Sequence, residues 1–351
     1  MIAFVADIEM APDEVGGADL ELRNVVKSCL DRVQVVVRST TLLARDTLAV
    51  EFAAVQGDEL PAFEAGAHVD LFLPNGICRS YSLCNPPSER HRYVVGVKKA
   101  CPSRGASSYI HDCLRAGQSI TLSVPRNNFP LDQLAQMSVF IAGGIGITPI
   151  WSMIQKLEME GRAWKLYYAA RTRMDAAFRG DLEALEASAP GRVDIRFDHE
   201  PGSAILDLND IVAKNAGNGT HFYACGPAPM LDAFEAATKE LPAEMRHLER
   251  FTADVKAPSA AALTRYEAVL AKSGMTLPVG PDKSLLDTLL DAGVQVDFSC
   301  MEGVCGSCKV AVIEGMPDHR DVVLSDDERA RNDVMLVCCS GSRTDRLVLN
   351  I

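Results

Sequence analysis

Five of the chain's cysteines crowd into residues 300–351. Cys300, Cys305 and Cys308 form a Cys-x4-Cys-x2-Cys run, and Cys338 and Cys339 follow beyond 29 intervening residues. Thiolates so spaced hold a [2Fe–2S] rhomb: three wrap it from one tight loop and the fourth returns from a distant element. Gly303 and Gly306 permit the sharp turn and let backbone amides approach the sulfides. Cys338 and Cys339 are adjacent, so only one of them points inward. A zinc site is the competing chemistry, but its usual CxxC pairs are absent. The other six cysteines (Cys29, Cys78, Cys84, Cys101, Cys113, Cys225) are scattered singly and read as small buried side chains. An odd total of 11 argues against a disulfide framework.

A second group of residues suits a dinucleotide. Ala142-Gly143-Gly144-Ile145-Gly146-Ile147-Thr148-Pro149 follows a short apolar run and opens a helical one. Glycines there let amides meet a pyrophosphate, whose charge the helix dipole favours. Cys225-Gly226-Pro227 follows another short apolar run. A 2′-phosphate would demand cationic partners beyond the second strand, and Arg171 and Arg173 lie there; Asp175 lies there too and suits a free ribose diol.

These residues need three kinds of scaffold. From Gln34 the chain shows short β runs: Gln34–Arg38, Thr47–Phe52, His68–Leu73, Arg79–Leu83, Tyr93–Lys98 and Ser119–Val124, with a helical piece at Ser107–Arg115. Gly, Pro and Asn between them suggest an antiparallel β-barrel or sandwich. Strands at Val139–Ala142, Lys165–Ala169, Val193–Phe197 and His221–Ala224 then alternate with helical runs at Ile150–Glu160, Asp181–Ala187 and Met230–Lys239. That alternation predicts an α/β domain with a parallel sheet covered on both faces. A β run at Tyr266–Ala271 and a helix at Ser284–Ala292 precede the cysteines. The expected multidomain order is an N-terminal extension (1–30), a barrel (31–132), an α/β domain (133–252), a linker rich in small residues (253–263) and an α+β cysteine domain (264–351).

Composition bounds the function. With 48% hydrophobic and 23% charged residues, the chain has the make-up of a globular protein. No apolar run is long enough to span a bilayer. Residues 1–10 lack a basic n-region, which reads as cytoplasmic. A formal net charge of −12 repels phosphates, so nucleic acid and anionic lipid are excluded as partners.

Cys-Met-Glu-Gly-Val-Cys-Gly-Ser-Cys-Lys (300–309), Asp-His-Arg-Asp (318–321) and the Leu-Val-Leu ending resemble the C-terminal ferredoxin domain of phthalate dioxygenase reductases. In that family the fourth cysteine stands two residues before a serine, usually in Cys-x-Ser-Arg. Cys338-Cys339-Ser340-Gly341 therefore aligns on Cys338 and lacks the arginine. Arg79-Ser80-Tyr81-Ser82-Leu83 is similar to the flavin-binding strand of the ferredoxin reductase superfamily. Tyr81 offers an aromatic face, Ser82 a hydrogen bond to the reactive edge, and Arg79 a charge for phosphate. Val97-Lys98 and the Gly105-Ala106-Ser107-Ser108 loop add a phosphate cradle, and Pro125–Leu131 closes the barrel as in the family.

The resemblance runs from about Gln34 to the last residue. It implies FMN, NADH and a [2Fe–2S] cluster, with Cys225 near the nicotinamide and Thr148 helping to place it. It leaves Phe251, in His247-Leu248-Glu249-Arg250-Phe251, either covering the flavin or filling the core. Electron counting agrees with this set. Nicotinamide gives two electrons as hydride and the cluster carries one, so a flavin must stand between them. The implied acceptor is a terminal Rieske non-haem iron oxygenase. Reductases of haem or diiron proteins are alternatives, although diiron reductases usually place the ferredoxin domain first. A redox sensor would need no hydride-accepting flavin.

Overall fold

The computed structural model describes residues 32–251 and 265–351, apart from 56, 58, 104, 203 and 299. The expected extension and linker fall outside them. Strands β1 (Arg32–Ala44) and β2 (Thr47–Ala54) form a hairpin whose alternate residues Val35, Val37, Val50 and Phe52 are fully buried. Bulges at Val37/Ser39 and Leu42/Ala44 bend it. With β3 (His68–Phe72), β4 (Cys78–Ser82), β5 (Tyr93–Lys98) and β6 (Ser119–Ser123) it makes a sheet ordered β4-β3-β6-β1-β2-β5. An antiparallel bridge between Leu83 and Val95 joins the outer strands and closes the barrel. Helix α1 (Ala106–Asp112) buries Ala106 and Ile110 in the barrel core.

The next unit is a five-stranded parallel sheet of β7 (Met137–Gly143), β8 (Ala163–Ala170), β9 (Val193–Phe197), β10 (Thr220–Cys225) and β11 (Arg246–Glu249), ordered β11-β10-β7-β8-β9. Helices α2 (Ile147–Glu160) and α3 (Arg179–Ser188) pack in one core with Phe140, Trp164 and Tyr168. Helices α4 (Leu208–Asn215) and α5 (Ala228–Thr238) pack in another with Val139, Ile141 and Phe222. Successive strands run from β7 outward to β9 and then return beside β7 as β10. The β7/β10 junction is therefore the switch point at which such sheets bind ligands.

The last unit combines β12 (Tyr266–Leu270), β13 (Thr276–Val279), helix α6 (Leu285–Asp291), β14 (Lys309–Glu314), β15 (Pro317–Asp318), helix α7 (Asp326–Arg331), β16 (Val334–Leu336), β17 (Gly341–Ser342) and β18 (Arg346–Leu349). Its main sheet is ordered β13-β12-β18-β14-β16, with β12 and β18 parallel. Leu285, Leu286 and Leu289 of α6 bury themselves in the same core as Cys308 and Cys338.

The fold is thus multidomain as expected: antiparallel barrel, parallel-sheet α/β unit, and ferredoxin-like α+β unit. Helix α4 and strand β11 were not anticipated. The first is short and polar, although Asp207 caps it by accepting from the Asp210 amide at 3.1 Å.

Candidate active site

Residues from all three units line one cleft. Arg79, Ser80, Tyr81 and Ser82 come from β4; Gly96 and Lys98 from β5; and Ser107 from α1. Thr148 enters from the α/β unit, Glu249, Arg250 and Phe251 from the end of β11, and Cys300, Glu302, Val304 and Cys305 from the cysteine loop. Burial pushes the Tyr81 hydroxyl up to about 12, so its ring is an uncharged wall. Phe251 is 37% exposed on the cleft and is not part of the core.

The cleft fits a flavin by chemistry. It combines an aromatic face, two cations (Arg79 and Lys98) and serine hydroxyls. It also holds an orphaned polar atom, because His68 lines it and its buried Nε2 has no hydrogen-bond partner. Burial, followed by the charge of Arg126, lowers the His68 pKa to about 4, so its ring is neutral near pH 7. A ligand with polar edges supplies the missing partner.

The cysteine loop fits an iron–sulfur rhomb. Cys300, Cys305, Cys308 and Cys338 are all buried and unbridged. Cys300 reaches the thiols of Cys305 and Cys338, and Cys338 reaches Cys308. Backbone amides already aim at sulfur: Glu302 N donates to Cys300 Sγ at 3.3 Å, and Cys300 N to Cys305 Sγ at 3.5 Å. Gly303 adopts φ 73, and a Cβ there would stand 2.5 Å from Cys339 Sγ. Cys339 is half-buried, and its thiol donates to Leu336 O at 3.8 Å.

The dinucleotide glycines stand at the switch point. A Cβ on Gly146 would lie 2.2 Å from Cys225 O, so only glycine lets the turn close on β10. A Cβ on Gly143 would meet Pro227, and one on Gly226 would meet Met230. Gly144 adopts φ 54 in the same turn. Thr148 Oγ1 donates to Ile145 O at 2.9 Å, which turns its hydroxyl into the turn.

Register places Cys225 beside Glu249 at the ends of β10 and β11. Ser82 Oγ lies 3.5 Å and Cys225 Sγ 4.0 Å from Glu249 Oε2. Burial raises the Glu249 carboxyl to about 8, the Ser82 hydrogen bond opposing. Burial, then the Glu249 charge, pushes the Cys225 thiol well up. The cleft is therefore floored by a hydroxyl and a carboxylic acid with no net charge near neutral pH, and the expected Cys225 thiol lies behind Glu249, fully buried and off the lining.

Several expected site residues stand elsewhere. Val97 points into the barrel core because β5 alternates, which gives the cleft to Gly96 and Lys98. Gly105 and Ser108 lie on the α1 loop but off the cleft lining; Ser107 lines it and accepts from Ala100 N at 3.1 Å. Asp175 is not displayed as a ribose acceptor. It accepts from Thr172 Oγ1 at 2.6 Å and stands 3.7 Å from Arg45 Nε. Both ring nitrogens of His319 are buried without a hydrogen-bond partner, Nδ1 standing 3.9 Å from Asp321 Oδ2. Reasoning on residues alone missed His68 and Glu249. Glu249 sat inside a word already singled out, but only strand register reveals that it faces Cys225.

Two family models match the chain, a 2Fe-2S iron-sulfur cluster binding domain over residues 269–342 and an oxidoreductase NAD-binding domain over residues 140–236. The chain is 50% identical over 308 residues to phenoxybenzoate dioxygenase subunit beta of Ectopseudomonas oleovorans, covering 88% of this chain and 94% of that one. It is 46% identical over 320 residues to tetrachlorobenzoquinone reductase of Sphingobium chlorophenolicum, covering 91% and 98%. The solved structure of phthalate dioxygenase reductase superposes with a TM-score of 0.70 at 36% identity, covering 92% of this chain and 99% of that one. The chain belongs to the phthalate dioxygenase reductase family. It is accordingly an NADH-dependent flavin iron–sulfur oxidoreductase, with FMN and a [2Fe–2S] cluster as cofactors. Among the described residues no helix is long and apolar enough to cross a membrane.

Proposed function

We propose that the protein is the reductase component of an oxygenase system, drawing electrons from NADH and delivering them singly to a terminal Rieske non-haem iron oxygenase. The observation that carries this reading is the shared cleft: flavin-strand residues Tyr81 and Ser82 and cluster ligands Cys300 and Cys305 line the same space. Bound there, flavin supplies the conversion of a hydride into single electrons.

The chain's own residues arrange the rest. Arg79, Lys98 and Ser107 would hold the flavin's phosphate, Tyr81 would cover a ring face, and Ser82 would bond the ring edge. Phe251 lines the same cleft and would yield to nicotinamide. The glycine turn at Gly143, Gly144 and Gly146, with Gly226, brings backbone to the pyrophosphate, while Thr148 and Cys225 shape the nicotinamide position. Glu249 keeps its proton near neutral pH beside Ser82 and Cys225, so no buried negative charge opposes hydride approach. Cys300, Cys305, Cys308 and Cys338 ligate the cluster.

The test is Cys305→Ser in FMN-loaded protein. NADH-dependent reduction of the flavin and of hydride-accepting dyes should persist, while reduction of a purified Rieske oxygenase should be lost. Oxygenase reduction at the wild-type rate by this variant would overturn the reading. A second reading, direct reduction of a quinone, follows from the 46% identity to tetrachlorobenzoquinone reductase. Direct two-electron quinone reduction would survive Cys305→Ser; oxygenase reduction would not.

A further inference from the structure

A continuous side-chain chain crosses from the flavin strand to a cluster ligand, and its centre is Arg126. On β4, Ser80 Oγ donates to Asp70 Oδ1 at 2.6 Å. Asp70 is 2% exposed, and its other oxygen accepts from Arg126 Nη2 in a close ion pair. The same Nη2 donates to Ser307 Oγ at 2.8 Å, across the boundary between the barrel and the ferredoxin-like unit. Ser307 Oγ then stands 3.2 Å from Cys305 Sγ. Because the hydroxyl accepts from a guanidinium, its own proton is left for the sulfur. A second bond runs beside the first: Asn128 Nδ2 donates to Cys305 O at 2.9 Å. Arg126 itself is pinned to β3 by two backbone bonds with His68, at 2.8 and 3.0 Å.

We propose that Arg126 is a positioning residue for the flavin-to-cluster step, latching the cysteine loop onto the flavin barrel and orienting the Ser307 hydroxyl toward Cys305. In that step one electron leaves the reduced flavin and reduces one ferric iron of the cluster; no bond forms or breaks. Two physical consequences follow. Tunnelling falls steeply with distance, so the latch sets the rate by holding Cys300 and Cys305 on the flavin cleft. A hydrogen bond to a ligand sulfur stabilises the more electron-rich reduced cluster and raises its potential.

The experiment compares wild type, Arg126→Gln and Ser307→Ala as holoproteins carrying flavin and cluster. Stopped-flow absorbance separates flavin reduction by NADH from cluster bleaching, and an EPR-monitored titration gives the cluster midpoint potential. Arg126→Gln should slow the flavin-to-cluster step at least tenfold while NADH reduces the flavin within twofold of the wild-type rate. Ser307→Ala should shift the cluster potential negative and leave the flavin potential in place, a readout that loosened packing alone would not move. Arg126→Gln leaves Asp70 buried and unpaired, so if it fails to fold the Ser307→Ala potential decides the matter. An unchanged flavin-to-cluster rate in Arg126→Gln, or an unchanged cluster potential in Ser307→Ala, would overturn the proposal. Failure of wild-type flavin to reduce the cluster at all would instead count against the electron path itself.

Discussion

Glu249 is a carboxyl whose behaviour departs far from its ordinary range, and it yields a pH signature. Its pKa is raised to about 8 in the folded protein from an ordinary 4.5. Between those values the folded state holds a proton that the unfolded state has lost, so stability falls as pH rises through this window. His68 and His247, both lowered to about 4, act oppositely: their contribution is lost as pH falls from 6.5 toward 4. A difference measurement cancels them. Glu249→Gln should be more stable relative to wild type at pH 8.5 than at pH 5, by a few kcal/mol at about 1.4 kcal/mol per pKa unit; thermal melts at the two pH values check it. Nucleotide choice also turns on single residues. Arg173 donates to Glu200 from its backbone and side chain at 2.8 and 3.0 Å, so its charge is already engaged. Glu200→Gln should raise kcat/KM for NADPH relative to NADH severalfold, and steady-state kinetics with both donors decides it. The cysteine word was legible because its ligand spacing is fixed by cluster chemistry. The Asp175 assignment was not, because its orientation depends on Arg45 in the barrel, far away in sequence.

At the scale of elements, the sequence revealed strands wherever apolar alternation was strong and misjudged those whose definition comes from neighbours. Tyr93–Lys98 was read to the residue, since Tyr93, Val95 and Val97 alternate inward. Strand β1 runs on to Ala44 through Thr40-Thr41, where bulges blur the period. Strand β11 has only half-buried residues and exists because β10 pairs with it. The β7–β10 junction is an unforgiving contact between elements. In Gly146→Ala the new Cβ would sit 2.2 Å from Cys225 O, within rigid backbone on both sides. The strands must part, at an overpacking cost of about 1–3 kcal/mol. The variant should melt lower and show a raised KM for NADH while binding flavin at the barrel normally. Calorimetry, flavin titration and flavin-reduction kinetics together test whether the damage is confined to the nucleotide turn.

On the scale of the whole molecule, the charge of the cysteine unit bears on where a partner docks. Residues 262–351 carry 14 Asp and Glu against 9 Lys and Arg, so an approaching protein with a basic patch is attracted to this unit. Glu302 lies within the cysteine loop itself. The structure turns Glu302 toward the flavin cleft and leaves it half-buried, because the loop folds back against the barrel through Arg126 and Asn128. A second segment also holds the loop, Val322 N donating to Gly303 O at 3.1 Å, and it lines a cleft shared with Asn128 and Asp232 of the other two units before α7 follows. The first turn of α7 presents Asp326 and Asp327, both exposed. They are exposed acidic charges of the cysteine unit, to which a basic partner would be attracted. Association with a purified oxygenase should therefore slow as salt is raised from about 20 mM to about 500 mM, as the screening length contracts to a few ångströms. Asp326→Lys with Asp327→Lys should slow association severalfold at low salt and lose most of its effect at high salt. Reversing charge at a helix N-terminus costs about 0.3–1 kcal/mol per residue, so a melting curve must accompany the kinetics. Flavin-to-cluster transfer, which runs through the flavin cleft, should stay at the wild-type rate. Stopped-flow association at two ionic strengths supplies the decision: a double variant that docks as fast as wild type in low salt would show that the partner does not use this acidic helix.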